Sequence, residues 1–210
     1  MARRLITGLI AILAIVAAQA EAQPQTETRR IASPAGVSAT EVGGRYDERA
    51  GYVGGKWIEV RYGRPIKRSR DLFGPADYAE ALNDGAPVWR AGANVSTRLN
   101  TEVPIVIAGR TIAPGEYSLF IDLTSDNWIF IVSTWPAQTR GYDVNDKTAL
   151  FGAYDYTPDK DVVRVPMKRE TLPYAFDQLS WEFLDVTDKG GRLAIIWDRQ
   201  LASVAFEIRR

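Results

Sequence analysis

Histidine and cysteine are both absent from the 210 residues, which removes most familiar chemistry before any single position is considered. Without imidazole or thiol there is no Ser-His-Asp triad, no Cys nucleophile, no zinc held by His or Cys, and no disulfide. Carboxylates, guanidiniums, indoles and phenols remain. Their densest concentration is the basic stretch Arg61, Arg64, Lys67, Arg68 and Arg70, followed by Trp89-Arg90-Ala91-Gly92-Ala93-Asn94. A guanidinium grips carboxylate or phosphate through two parallel N–H groups, a neighbouring indole can stack on it, and a glycine lets backbone N–H groups approach an anion closely. The candidate ligand-binding set is therefore Arg64, Arg70, Trp89, Arg90 and Asn94. The same arginines have a competing, internal use. Arg64, Arg70 and Arg90 can pair with Asp71, Asp84 or Glu102 and close one end of the fold, because 26 basic and 26 acidic residues give each a potential partner.

Carboxylates offer two other chemistries. Asp155-Tyr156-Thr157-Pro158-Asp159-Lys160-Asp161 brings three of them into one loop, and a hard cation takes oxygen donors of that kind, but the EF-hand spacing and its glycine are missing. A solvated turn accounts for this loop and for Asp143-Val144-Asn145-Asp146, since Asp is common where a chain reverses. No metal site and no other cofactor is expected. Paired carboxylates are the chief acid-base route left without His, and glycoside hydrolysis needs two of them about 5 to 9.5 Å apart across a cleft. Glu59, Glu102, Glu116, Asp122 and Glu182 lie on or beside predicted strands, yet no spacing selects a pair, so no catalytic set is assigned. No S-x-x-K, G-x-S-x-G, P-loop or G-x-G-x-x-G pattern occurs.

The elements that must position these groups read as strands. From Lys56 onward the chain shows short runs rich in Val, Ile, Trp, Tyr and Phe, with turn residues every ten or so positions. Residues 179–183 and 204–208 alternate large apolar with polar or small side chains, as half-buried antiparallel strands do. Residues 128–132, Trp-Ile-Phe-Ile-Val, are apolar on both faces and belong between covered layers or at an edge protected by the preceding arm. Asp188-Lys189-Gly190-Gly191 marks a hairpin, Ala108-Gly109-Arg110 another, and Thr124-Ser125-Asp126-Asn127 a third connection. One helix is predicted over residues 76–83, opened by Pro75 and stopped by Asp84-Gly85, plugging an end of the fold. Trp128, Trp181 and Trp197 fall at inward positions and belong to the core, whereas Trp57, Trp89 and Trp135 are freer. The expected fold is all-β: a two-layer antiparallel β-sandwich or flattened barrel with one short helix.

Residues 1–22 read as a cleaved signal peptide. Arg3 and Arg4 precede an apolar run, and Ala18-Gln19-Ala20 and Ala20-Glu21-Ala22 both fit the A-x-A cleavage pattern, with cleavage after Ala22 favoured over Ala20. The run of about 14 apolar residues is short for a membrane span of roughly 20. The expected location is periplasmic or secreted, with no membrane anchor after cleavage. Residues 23–50 have the Gln, Pro, Thr, Ser and Gly content of a flexible arm, and residues 51–210 form a single β-rich domain. The balanced charge gives no steering toward nucleic acid.

The order of motifs resembles a known family. Tyr62-Gly63-Arg64-Pro65, Arg70 with Leu72-Phe73-Gly74, Val88-Trp89-Arg90-Ala91-Gly92-Ala93-Asn94 and Pro114-Gly115-Glu116-Tyr117-Ser118-Leu119-Phe120 are similar to the exported bacterial family called domain of unknown function 2911. Phe151-Gly152-Ala153-Tyr154, Lys160-Asp161-Val162-Val163-Arg164-Val165 and the tryptophan strand around Trp197 extend the likeness to roughly residues 57–208. Val95 stands where many members carry glutamate, and Phe151 where many carry tryptophan. The resemblance implies an exported β-rich domain and carries no activity with it. The leading expectation is a non-catalytic periplasmic or secreted binding domain for a small anionic or carbohydrate ligand. The alternatives are a carboxylate-based hydrolase of envelope glycans or other polymers, and a structural envelope component.

Overall fold

Apolar side chains repeating at every second position force extended chain, and the described residues are mostly that. The computed structural model describes residues 30–124 and 127–209. In chain order the strands are β1 (Ala35–Val42), β2 (Arg45–Asp47), β3 (Gly51–Val53), β4 (Lys56–Gly63), β5 (Thr97–Thr101), β6 (Ile105–Ile107), β7 (Arg110–Ile112), β8 (Gly115–Asp122), β9 (Ile129–Ser133), β10 (Asp161–Pro166), β11 (Lys168–Thr187) and β12 (Gly190–Ile208), with α1 (Tyr78–Asn83) between β4 and β5. One sheet has the order β1-β4-β5-β8-β9-β10 and the other β11-β12-β6-β7, all neighbours antiparallel. The sheets pack face to face as an open sandwich, not a closed barrel.

Period-two alternation decides which side chains meet between the sheets. Leu119 and Ile121 of β8 and Phe130 and Val132 of β9 face inward, onto Trp181, Leu193, Ile195, Val204 and Phe206 of β11 and β12. Their sequence neighbours Phe120 and Ile131 face outward but are fully buried too, beneath Leu150, Ala153 and Tyr156 from the loop joining β9 to β10. This loop is why residues 128–132 are apolar on both faces. Trp128, Trp181 and Trp197 are all core residues, as their phase predicts.

The strand layout differs from the sequence reading in two places. The arm expected over residues 23–50 is not an arm throughout: β1 pairs along its whole length with β4, from Ala35↔Gly63 to Val42↔Lys56. Its side chains Ala-Gly-Val-Ser-Ala-Thr-Glu-Val are small and polar because it is an edge strand covered on one side only. Second, the segments around residues 192–197 and 204–208 are one 19-residue strand, paired with a 20-residue strand through register breaks. Asp185 and Asp198 take φ of 54° and 51° there, a conformation Asp tolerates better than most residues, so the ladder bends without ending. The Asp188-Lys189 turn closes this hairpin as expected. The 124–127 connection lies partly, and the signal segment 1–22 wholly, outside the described residues.

Helix α1 and Phe73 close one end. Tyr78, Ala79 and Leu82 pack on the core, Trp128 Nε1 donates to the Tyr78 hydroxyl at 3.0 Å, and Phe73 contacts the rings of Tyr78, Trp128 and Trp197. Trp181, with no exposed surface, donates from Nε1 to the Ala91 carbonyl at 2.9 Å. Trp181→Phe keeps a ring but removes that donor and leaves a void, so a loss of about 2–3 kcal/mol is expected in urea unfolding. Trp57→Phe, at a partly exposed position, is expected to shift the midpoint by less than about 0.5 kcal/mol.

Candidate functional site

Where β5 ends, the segment before it takes over its place beside β8: Trp89 and Ile121 exchange two backbone hydrogen bonds of 2.9 Å. That register sends the Trp89 indole into the core, 2% exposed and stacked on Trp197 at 6.2 Å and 14°, and directs the Arg90 side chain the opposite way. The expectation that Trp89 is one of the freer indoles is thereby corrected. The turn that follows is fixed from beneath, because the Ala91 carbonyl accepts from both Trp181 Nε1 and Thr97 Oγ1 (3.1 Å). Gly92 serves this packing: a Cβ there would stand 2.8 Å from Thr97 Oγ1 and 3.1 Å from the Gly63 carbonyl oxygen. Its missing side chain admits protein, where the sequence suggested room for an anion.

Arg90 is clamped on every side. Its Nη2 donates to Asp84 Oδ2 at 2.7 Å, its Nη1 to the Asn94 carbonyl at 3.3 Å, and its guanidinium carbon lies 5.6 Å from the Tyr154 ring centroid. Tyr154 donates its hydroxyl to the same Asp84 oxygen at 2.9 Å. Gly152 lies against Arg90, where a Cβ would approach Nη1 to 2.7 Å. The loop carrying Gly152 and Tyr154 is tied down in turn by the buried Ser96 hydroxyl, which donates to the Gly152 carbonyl at 2.5 Å. Asp84 reaches this position because it ends α1 in the left-handed conformation, φ 55°. Hydrogen bonds from Tyr154 and then Arg90 hold its carboxyl below the ordinary aspartate value.

These groups border a cleft of about 360 Å³ that draws in Arg70, Trp89, Arg90 and Asn94 from the predicted set, with Trp197 and Phe151 as aromatic wall. Arg70 is held differently from Arg90. Its Nε and Nη2 donate to the carbonyls of Lys67 (3.1 Å) and Ile66 (2.6 Å), and its guanidinium lies 5.7 Å from the Trp197 centroid. Among the described residues no carboxylate is within ion-pair distance of it. Asn94 turns its amide to the Ser33 carbonyl, 3.2 Å, pinning the entry to β1. Arg64 is the predicted residue the structure leaves out: its guanidinium points to the Leu179 carbonyl and the Ser180 hydroxyl, at 3.4 and 3.5 Å, and bridges the two sheets. The internal use proposed for the arginines thus holds for Arg90 with Asp84, while Arg70 has no acidic partner.

Asp84, Phe151 and Tyr154 line the cleft without being in the candidate set. Asp84 was legible only as a helix stop and a possible arginine partner, and Phe151 and Tyr154 only as part of an aromatic motif 60 residues downstream of Trp89-Arg90. Most of the remaining candidate carboxylates are engaged elsewhere, and Glu182 does not line the cleft. Asp155 approaches Lys147 at 3.8 Å, Asp159 accepts from the Thr157 hydroxyl, and Asp161 accepts from Tyr156 and Arg164. Burial pushes Asp122 up, but hydrogen bonds from Thr124 and the charge of Arg164 leave it net lowered. Glu116 pairs with Arg98, Glu59 with Arg61, and Glu102 accepts from the Trp57 backbone. Among the described residues no cluster of three acidic side chains is placed to hold a metal ion.

The family model described as "Protein of unknown function (DUF2911)" matches residues 46–206, which includes nearly all of the roughly 57–208 span of the motif resemblance. No curated protein and no solved structure matches the chain.

The lowered carboxyl of Asp84 makes a pH-dependent contribution to the cleft wall. A group whose folded value lies below its unfolded one of about 3.9 stabilises fully above that pH, and the contribution is lost as pH falls through the folded value. Wild type is expected to be more stable than Asp84→Asn near neutrality, with the gap closing below about pH 4. Urea midpoints across that range check it.

Proposed function

The chain belongs to the DUF2911 family, and on that premise and the geometry of the cleft we propose that it is an exported, non-catalytic binding domain, periplasmic or secreted, that takes a small organic anion at Arg70. The observation that carries this reading is the state of that one guanidinium. Two backbone carbonyls occupy its Nε–Nη2 edge, an indole lies against its face, and no carboxylate neutralises it. An arginine has five N–H donors in a rigid fork, so the outer Nη1–Nη2 edge stays available to a carboxylate without any rearrangement. The ligand body then lies along Phe151, while the Arg90–Asp84–Tyr154 clamp forms a fixed polar wall. Pre-positioning of this kind lowers the ordering cost of binding.

The geometry favours this over hydrolysis. Acid-base cleavage of glycans needs one carboxyl raised in pKa and a second facing it. Asp84 is the one acidic side chain among the described residues lining the cleft, and its two hydrogen bonds hold it ionised, the opposite of what a general acid requires. A purely structural component has no use for an open aromatic-walled cleft with an uncompensated cation. Residues 1–22 support export by their charged start, apolar run and two A-x-A sites.

Thermal shift of the mature protein against organic acids, phosphorylated metabolites and neutral sugars tests the site. A carboxylate at about ten times its Kd is expected to raise the melting temperature by about 3–5 °C, less so at high salt. Arg70→Gln is expected to abolish the shift while leaving the unliganded melting temperature within about 1 °C. A response to neutral sugars alone, or an unchanged response in Arg70→Gln, overturns the reading. For localisation, N-terminal sequencing of protein recovered outside the cytoplasm is expected to begin at Gln23, or at Glu21. Recovery of an intact Met1 start in the membrane fraction contradicts export.

A further inference from the structure

Arg70 and Pro65 line two clefts. The second, of about 420 Å³, adds Arg68, Ser69 and Ser33, and no carboxylate among the described residues borders it. We infer, resting on the reading of Arg70 as the seat of a carboxylate, that the ligand is an organic dianion whose second charged group is held in this adjoining cleft by Arg68. The ligand class is thereby a dicarboxylate or a phosphorylated carboxylic acid, not a simple monoacid.

Arg68 occupies a backbone position that its residue type does not favour. Eight non-glycine residues among those described have positive φ; five are Asp or Asn, two are Ala, and Arg68, at 57°, is the one with a long side chain. The left-handed region brings Cβ against the following carbonyl, so Gly, Asn and Asp hold it most readily. Here β11 imposes it: Asp177 Oδ1 accepts the Arg68 N–H at 2.8 Å, and the Asp177 carbonyl accepts the Lys67 N–H at 2.5 Å. The Lys67 carbonyl in turn accepts the backbone N–H and the Nε of Arg70, at 3.3 and 3.1 Å. Residues 67–70 are thus fixed through their backbone. Yet the Arg68 side chain is exposed, with no hydrogen-bond, ion-pair or ring partner among the described residues. Glycine or asparagine would make the same turn with less strain, and strained positions of this kind concentrate at ligand sites.

The rest of the lining suits an anion. Ser69 and Ser33 each carry a hydroxyl with no side-chain hydrogen bond among the described residues. Hydroxyl donors beside a guanidinium fork match the oxygens of a carboxylate or a phosphoryl group. Asp177 is committed to the Arg68 N–H and does not border the cleft. Two guanidiniums on one fixed loop, neither with a carboxylate within ion-pair distance, sum to a field that one negative charge leaves half compensated. Because Arg70 belongs to both clefts, a molecule held there reaches the second seat without dissociating, and its two groups bind with the advantage of a tether.

Isothermal titration calorimetry of the mature protein with succinate, glutarate, adipate and 3-phosphoglycerate, against butyrate and hexanoate, tests the inference. At least one dianion is expected to bind about tenfold or more tightly than the monoacids, and a preference of either kind supports the second seat and identifies its group. Arg68→Gln is expected to bring that dianion down to about monoacid affinity while monoacid binding stays within about twofold. Arg68→Gly suits the left-handed backbone, so it is expected to melt within about 2 °C of wild type and to show the same loss. Dianions that bind no tighter than monoacids, or a preference that survives in both Arg68 variants, overturn the second seat and leave Arg70 as a carboxylate site. Absence of binding by every anion, or binding unchanged in Arg70→Gln, overturns the reading of Arg70 and this inference with it.

Discussion

Two buried hydrogen bonds converge on the carbonyl of Ala91, from Trp181 Nε1 in the smaller sheet and Thr97 Oγ1 in the larger. A buried carbonyl without such partners would carry its full desolvation cost, so the turn after Trp89 has one low-energy position. From that position the alternation of an extended chain does the rest. Trp89 goes into the core against Trp197, Arg90 goes out over Gly152 and Tyr154, and Asn94 reaches back to Ser33. Sandwich interior and cleft wall are thus two faces of one short segment, which is why a run as compact as Trp-Arg-Ala-Gly-Ala-Asn touches both.

Much of the architecture was legible because periodicity reports directly on burial. Residues 179–183 and 204–208, the three core tryptophans, the Asp188-Lys189 turn and the short helix all carried a pattern with a physical cause, and the two-layer antiparallel fold follows from them. The parts that were not legible lacked such a cause within reach of the local sequence. β1 is composed of small residues because only one of its faces is covered. The bends within β11 and β12 depend on left-handed aspartates, which look like turns when read locally. Trp89 pairs with β8 through a single bridge, too short a stretch to show any period.

The convergence of the candidate residues on one cleft was legible, but not what each of them touches there. Four of the five predicted residues reach the cleft, since arginines and an indole close in sequence do tend to converge. What each arginine does there depends on partners far along the chain. Arg90 is matched by Asp84 and Tyr154, Arg64 by carbonyl and hydroxyl groups of β11, and Arg70 by backbone alone. Net neutrality implied a counter-charge for every guanidinium, yet the distribution of the acids leaves Arg64 and Arg70 without one, and of these two only Arg70 borders the cleft.

The order in which the layers are threaded has a consequence for how the protein comes to exist. A ribosome delivers β1 through β10 first, and with them five neighbouring pairs of the larger sheet, whose apolar side has only the short β6–β7 hairpin to lie on until β11 and β12 emerge. The final hairpin brings Trp181, Leu193, Ile195 and Trp197 together, and its far end completes the pairing of β6. Nascent chains interrupted before about residue 197 therefore display a wide greasy slab to the cell, and it is these fragments, more than the finished molecule, that invite clumping or a chaperone's grip.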